Sequence, residues 1–238
     1  MNRDQEKAMK NYRIVDLSHT ILPGKEEYRL EIDTRFTEQW EQFAQYKREP
    51  GHWYVLSEVT FSTHVGTHIE FPYHHVQTGL DAARFPLEKL VGEATVIDIS
   101  AWGQNDCITL GDLQEVAKSR IRPGDIVFCY TGFDRYYHTD KQHYRPWFTT
   151  DAIQWLVDSS LHVVGVDTSG IEIRNPDGSP SYGQPNHETL LGAGIPLVEY
   201  LANLGELVNK RFMAYILPVK LAGAEAFPVR VIGVVEEE

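Results

Sequence analysis

Four of the chain's ten histidines fall in the short stretch 62–75, which reads Ser62-Thr63-His64-Val65-Gly66-Thr67-His68-Ile69-Glu70-Phe71-Pro72-Tyr73-His74-His75. His64, His68, Glu70 and His74 all occupy even-numbered positions, so an extended chain projects them from one face. A helix would align His64 with His68 but turn Glu70 nearly to the opposite side. Gly66 and Pro72 also argue against a helix interior. The segment therefore reads as a strand end or extended loop carrying three or four convergent polar side chains. Neutral imidazole and carboxylate together suit Zn2+ or a neighbouring transition metal, and a carboxylate can offset charge and bridge two ions. Solvent-facing or backbone-satisfied histidines are the bland alternative, and four in this pattern outweigh it.

Other chemistries fail on specific grounds. No G-x-S-x-G is present for a serine hydrolase, no Walker sequence occurs, and neither Cys107 nor Cys129 sits in a nucleophile pattern. Gly192-Ala193-Gly194 begins like a dinucleotide fingerprint, but Leu197 fills the third glycine position. That stretch reads as a turn before a helix.

The elements that must position these residues alternate. Strand-like runs rich in β-branched and aromatic residues occur at 12–18, 53–61, 93–100, 125–130, 162–167, 212–220 and 228–235. A helix is expected after Thr109, over 113–121. Another follows Thr150 and Asp151, with Ile153, Leu156 and Val157 on one face. A third is expected to begin at Pro196, with Leu197, Val198, Leu201, Leu204 and Val208 as its apolar stripe. Residues 28–51 are the least periodic, and Trp40, Phe43 and Tyr46 favour a helix covering core surface over a long loop. No repeat or linker divides the chain, so residues 1–238 read as one α/β domain, with barrel and open sheet both possible.

Of the 238 residues, 42% are hydrophobic, which is ample for a core. Lys and Arg total 22 against 34 Asp and Glu, a formal net charge of −12 with no basic run. Nucleic acid and anionic membranes are therefore poor partners. The charged N-terminus does not resemble a secretory signal, and no apolar window is long enough to span a membrane. Two cysteines without C-x-x-C spacing, Cys129 reading as a buried strand thiol, fit a reduced cytoplasmic protein.

The run from His64 through Gly66-Thr67-His68 and Pro72 to His74 resembles the signature of the cyclase-like metal hydrolases, which include bacterial kynurenine formamidases and isatin hydrolases. Asp16-Leu17-Ser18-His19 is similar to that family's opening strand. Gly165-Val166-Asp167-Thr168 resembles a central strand end, Pro228-Val229-Arg230 the last strand, and 187–204 the stretch supplying further ligands. The resemblance thus spans residues 12–235. It implies a mixed, partly open β-barrel-like sheet flanked by helices. It also implies two Zn2+ ions, with Mn2+ able to substitute. His64, His68 and Glu70 would ligate the first ion, Glu70 would bridge to the second, and His187 and Glu199 would complete the second. His74 would transfer protons. Periodicity alone turns Glu199 away from its apolar stripe, toward solvent, where an acidic residue suits a first helical turn.

Two departures stand out. The family usually has Asp where this chain has Glu70, and the extra methylene moves the carboxylate by about 1.5 Å against a ligand tolerance of about 0.2 Å. Either the backbone shifts or one metal is lost. The lead-in before His64 is also long, so residues 28–54 are expected to shape the pocket. The resemblance implies hydrolysis of an amide bond in a small-molecule substrate by metal-bound hydroxide, N-formylkynurenine being the leading candidate. A cyclic amide, ester or lactone is the alternative, as is a metal-binding protein without turnover. A homodimer or higher homo-oligomer is implied as well. His19 and His75 are structural or support the ligands, and His138 and His143 are expected to face solvent.

Overall fold

The structure, a computed structural model, describes residues 11–117, 119–175, 177 and 179–236. Its strands are β1 (Tyr12–Asp16), β2 (Leu30–Asp33), β3 (Glu58–Phe61), β4 (His68–Glu70), β5 (Val91–Asp98), β6 (Cys107–Ile108) and β7 (Ile126–Tyr130). They continue with β8 (Trp147–Phe148), β9 (Val163–Val166), β10 (Leu197–Glu199), β11 (Arg211–Ile216), β12 (Ala226–Pro228) and β13 (Val231–Glu236). The helices are α1 (Phe36–Trp40), α2 (Leu110–Ala117), α3 (Thr150–Asp158) and α4 (Pro185–Gly192). None is long and apolar enough to cross a membrane.

Nine strands form one curled sheet in the order β1-β13-β11-β5-β7-β9-β10-β4-β12. At its centre β5, β7, β9 and β10 run parallel, with α2, α3 and α4 as their successive crossovers. Parallel strands need such crossovers, and the helices cover one face. Neighbouring residues accordingly enter opposite cores. Val96, Phe128, Val163 and Val198 pack on the face away from the helices, while Ile97, Val127, Val164 and Leu197 pack beneath them with Ile153, Leu156 and Leu190. Burial on both faces explains why these strands read as continuous apolar runs.

The site end is antiparallel. β4 lies between β10 and β12, with His68 opposite Glu199 and Pro228, and Glu70 opposite Leu197 and Ala226. β4 falls within the stretch read as a strand end or extended loop, whereas β10 and β12 are not apparent from periodicity. The helix expected from Pro196 does not form. Leu197–Glu199 is instead a strand wedged between β9 and β4, and Tyr200 and Asn203 adopt left-handed backbone at φ 54 and 57°. Sheet pairing on both sides overrides a weak helical preference, and the left-handed residues stop any helix from propagating.

Residues 28–51 are not a helix over the core. They contain β2 and the single-turn α1, and β2 pairs with β3 as a separate ribbon. Ile32, Phe43, Trp53 and Val59 are exposed, Trp53 by 84%. Trp40 gathers Phe36, Phe43 and Tyr46 into a local aromatic cluster instead of the core. The expected strand at 53–61 contracts to β3, and α3 starts after Thr149, one residue earlier than anticipated.

Candidate metal centre

His68 and Glu70 point from β4 toward the helix-covered face, because Ile69 between them is fully buried in the opposite core. Directly opposed residues of an antiparallel pair share a face, so Glu199 of β10 meets His68 there. His64 arrives from a turn rather than a strand. Gly66 takes φ 65°, and a Cβ on it would lie 2.0 Å from Ile21 Cγ2, so only glycine fits. His74 sits in a one-turn 3-10 helix, Pro72–His74. The even spacing of the four side chains therefore converges through three different local conformations, not one extended segment. His187 lies in the first turn of α4, whose start is anchored by the Asn186 side-chain amide donating to the Phe148 and Ile171 carbonyls.

These residues meet in two overlapping sets. His64 Nδ1 is 3.0 Å from Glu70 Oε1 and 3.3 Å from His68 Nε2, and His68 Nε2 is 3.6 Å from the same Glu70 oxygen. On the other side, His187 Nε2 is 3.3 Å from Glu70 Oε2 and 3.2 Å from Glu199 Oε1. Glu199 Oε2 lies 3.7 Å from His68 Nε2, linking the sets. Tetrahedral ligands at about 2.0–2.2 Å from an ion are about 3.3–3.6 Å from one another, so this spacing suits a cation. Glu70 is buried, and its Oε2 has no hydrogen-bond partner among the described residues. A buried carboxylate oxygen left so is costly without a cation to face. The donor set thus fits a metal, and the longer Glu70 side chain reaches both groups with one oxygen each. Glu70 and His74 also form a donor group with His64 within 4.8 Å, and His74 Nε2 lies 3.9 Å from Glu70 Oε1. His74 can therefore reach the cluster as well as the cavity.

Each inward-facing imidazole is held from behind. His68 Nδ1 donates to the Gly66 carbonyl at 2.8 Å, leaving the Nε2 lone pair inward. Glu172 accepts both the backbone N–H of His187, at 2.7 Å, and its Nδ1–H, at 2.8 Å. Glu225 stands 3.4 Å from His64 Nε2 and accepts from the Thr63 hydroxyl. Such partners fix the ring's tautomer and orientation. No spacing rule points to Glu172 or Glu225.

The electrostatics follow from this packing. Burial pushes the Glu70 pKa up, but the imidazoles of His187, His64 and His68 beside it outweigh that and hold the carboxylate well below its usual range. Burial lowers the His187 pKa, and Glu172, Glu199 and Glu70 overcome that and raise it well above ordinary. His74 is shifted down, first by burial and then by His64, His75 and His187, against Glu70.

Of the other histidines, only His138 departs from expectation. His75 lies alongside His187, rings stacked at 5.6 Å, with Nε2 3.0 Å from the Gln184 side-chain oxygen. His19 stacks on Tyr137 at 4.1 Å, away from the donor sets. His138 does not face solvent: it is mostly buried, with Nε2 2.9 Å from Glu26. His143 is half-exposed on the cavity rim. A cavity of about 550 Å3 opens over the donor sets, with Tyr28 and Tyr200 among its walls. Trp53 is exposed and Phe71 is core, so neither forms part of its aromatic wall.

Residues 15–173 match the model of the Cyclase family, described as "Putative cyclase". The chain is 26% identical over 215 residues to a kynurenine formamidase of Erythrobacter litoralis, covering 90% of each. Among solved structures it is similar to a potential metal-dependent hydrolase with cyclase activity, at 27% identity and TM-score 0.72, covering 96% of this chain and 100% of that one. It is also similar to isatin hydrolase A from Labrenzia aggregata bound to benzyl benzoate, at 25% identity and TM-score 0.75, over 95% and 94% of the two chains.

Proposed function

Because the chain belongs to the Cyclase family, we propose that it is a metal-dependent hydrolase that cleaves an amide bond, with an aryl formamide such as N-formylkynurenine as substrate. The observation that carries this reading is Glu70, whose two oxygens face separate sets of histidine and glutamate donors. His64, His68 and Glu70 would hold one Zn2+ ion, and Glu70, His187 and Glu199 a second, with Mn2+ suited to the same ligands. A metal bound there supplies Lewis acidity and lowers the pKa of water from 15.7 to about 7.

The chain's own groups do the rest. His74 stands beside Glu70 at the cavity wall, where it takes the proton of the attacking water as the oxygen adds to the carbonyl carbon. It returns that proton to the nitrogen as the C–N bond breaks, leaving an arylamine and formate. Tyr28 and Tyr200 offer ring faces to an aryl group within a cavity of ordinary ligand size. A homodimer in the cytoplasm belongs to the same proposal, with the exposed apolar side chains of the β2–β3 ribbon as a surface for a second copy, and sedimentation would report it.

The test is release of kynurenine from N-formylkynurenine by zinc-loaded and by manganese-loaded protein. Chelator-sensitive turnover is expected, abolished in His74→Ala with metal retained. Loss of metal from that variant would make His74 a ligand. Metal binding without turnover would overturn the formamide substrate and direct the search to cyclic amides, esters and lactones.

A further inference from the structure

Residues 21–28 form a strap that carries two cavity residues, Glu27 and Tyr28, yet they belong to no helix or strand. Glu26, whose side chain is only 4% exposed, ties the strap down. Its Oε1 accepts from the Leu22 backbone N–H at 2.7 Å and faces His138 Nε2 at 2.9 Å. Its Oε2 accepts from the Tyr137 hydroxyl at 2.6 Å. A carboxylate this deep is tolerated because both oxygens meet donors, and hydrogen bonds to a charged acceptor are the strong ones. The turn that brings Leu22 back to Glu26 is closed by Lys25, whose N–H donates to the Leu22 carbonyl at 3.0 Å, with Gly24 at φ 78°.

The two side-chain partners come from the loop between β7 and β8, 111 and 112 residues along the chain. That loop also carries His143 at the cavity rim. His138 adopts φ 61°, and its N–H donates to the Gln142 side-chain oxygen at 3.1 Å. The Tyr137 ring stacks on His19 at 4.1 Å and meets Tyr200 edge-on at 5.3 Å. Burial first and then Glu26 push the Tyr137 pKa up, so its hydroxyl stays a donor. The Tyr200 hydroxyl in turn donates to Glu27 at 3.4 Å. These groups stand next to the wall they support. A small second cavity is lined by Tyr28 and His64 together with Glu26, Tyr137, His138 and Tyr200.

We infer that Glu26 is a positioning residue that locks the strap onto the β7–β8 loop, so that Tyr28 stands as a fixed wall beside His64. It thereby governs how tightly an aryl substrate is held and not how fast that substrate reacts. The consequence for substrate rests on the hydrolase reading above, whereas the lock itself does not. A wall fixed in advance avoids the entropy cost of ordering a loose strap at each binding event.

The experiment uses the full-length, zinc-loaded protein in two arms. In the first, hydrogen–deuterium exchange is followed in the wild type, Glu26→Ala and Tyr137→Phe. Exchange in 21–30 and 134–143 should quicken by about tenfold in Glu26→Ala and by less in Tyr137→Phe, with β5, β7 and β9 unchanged. Unchanged exchange in both stretches would overturn the lock, as would quickening spread equally over β5, β7 and β9 in both variants. In the second arm, Glu26→Ala should raise the KM for N-formylkynurenine about tenfold and keep kcat within about twofold, with Glu26→Gln in between. Tyr28→Ala should raise KM similarly, and the double variant with Glu26→Ala should rise no further. A fall in kcat at unchanged KM, or KM rises that multiply in the double variant, would overturn the action through Tyr28. If N-formylkynurenine is not turned over with metal bound, the hydrolase reading fails, and the exchange arm still decides the lock.

Discussion

The centre of the nine-stranded sheet and the end that carries the site are built from different materials. In the parallel half, β5, β7 and β9 are apolar on both faces and bury Val96, Ile97, Phe128 and Val164 completely. At the other end β4, β10 and β12 are three residues each and bury His68, Glu70 and Glu199. The first half gains stability from apolar area removed from water. The second spends some of that on buried charge, which persists only where partners or a cation compensate it. Fold stability and ligand chemistry are therefore separable along one sheet, and variants should report on one without the other.

The largest effect belongs to the site end. Glu70→Gln removes the carboxylate common to both donor sets, and metal affinity measured by competition with a chelating dye should fall by more than about 100-fold, beyond the losses typical of supporting partners. On the parallel side, Leu156→Ala empties a fully buried position on the inner face of α3. It should cost about 2–5 kcal/mol in urea unfolding while leaving the metal affinity of the folded protein unchanged. A change in both quantities would break the separation. Glu172→Gln tests the boundary between the halves, because Glu172 accepts two hydrogen bonds from His187. Metal affinity should drop by about 10–100-fold with a smaller change in stability. The smallest signal is chemical. Burial, with Asp167 nearby, pushes the Cys129 thiol up to about 12. Iodoacetamide at pH 8 should therefore spare it in the native protein, and mass mapping should find it alkylated only after unfolding.

The same division governs what the amino-acid sequence discloses. β5, β7 and β9 are legible because two-sided burial demands runs of β-branched and aromatic residues, and β11 and β13 because their burial alternates with a period of two. The donors at His64, His68, Glu70 and His74 are legible because imidazole and carboxylate at that spacing have little structural use. β10 and β12 are not, since three residues carry no period. Glu199 shows the hazard most clearly. Leu197, Leu201 and Leu204 mimic a helical stripe, yet they are buried because a strand and two left-handed turns cross the core there. α4 escapes notice for the converse reason: Asn186 and His187 are buried polar residues, so its apolar face is interrupted. Glu172 and Glu225 are brought to the site by tertiary packing alone, and no local spacing marks them.

Direct titration tests whether the donors around Glu70 form a metal centre. Chelator-stripped protein would be titrated with Zn2+ and with Mn2+ by calorimetry, alongside His68→Ala and His187→Ala. The wild type should bind two ions, and each variant should lose one. Absence of binding, or stoichiometry untouched by either substitution, would contradict a metal centre there.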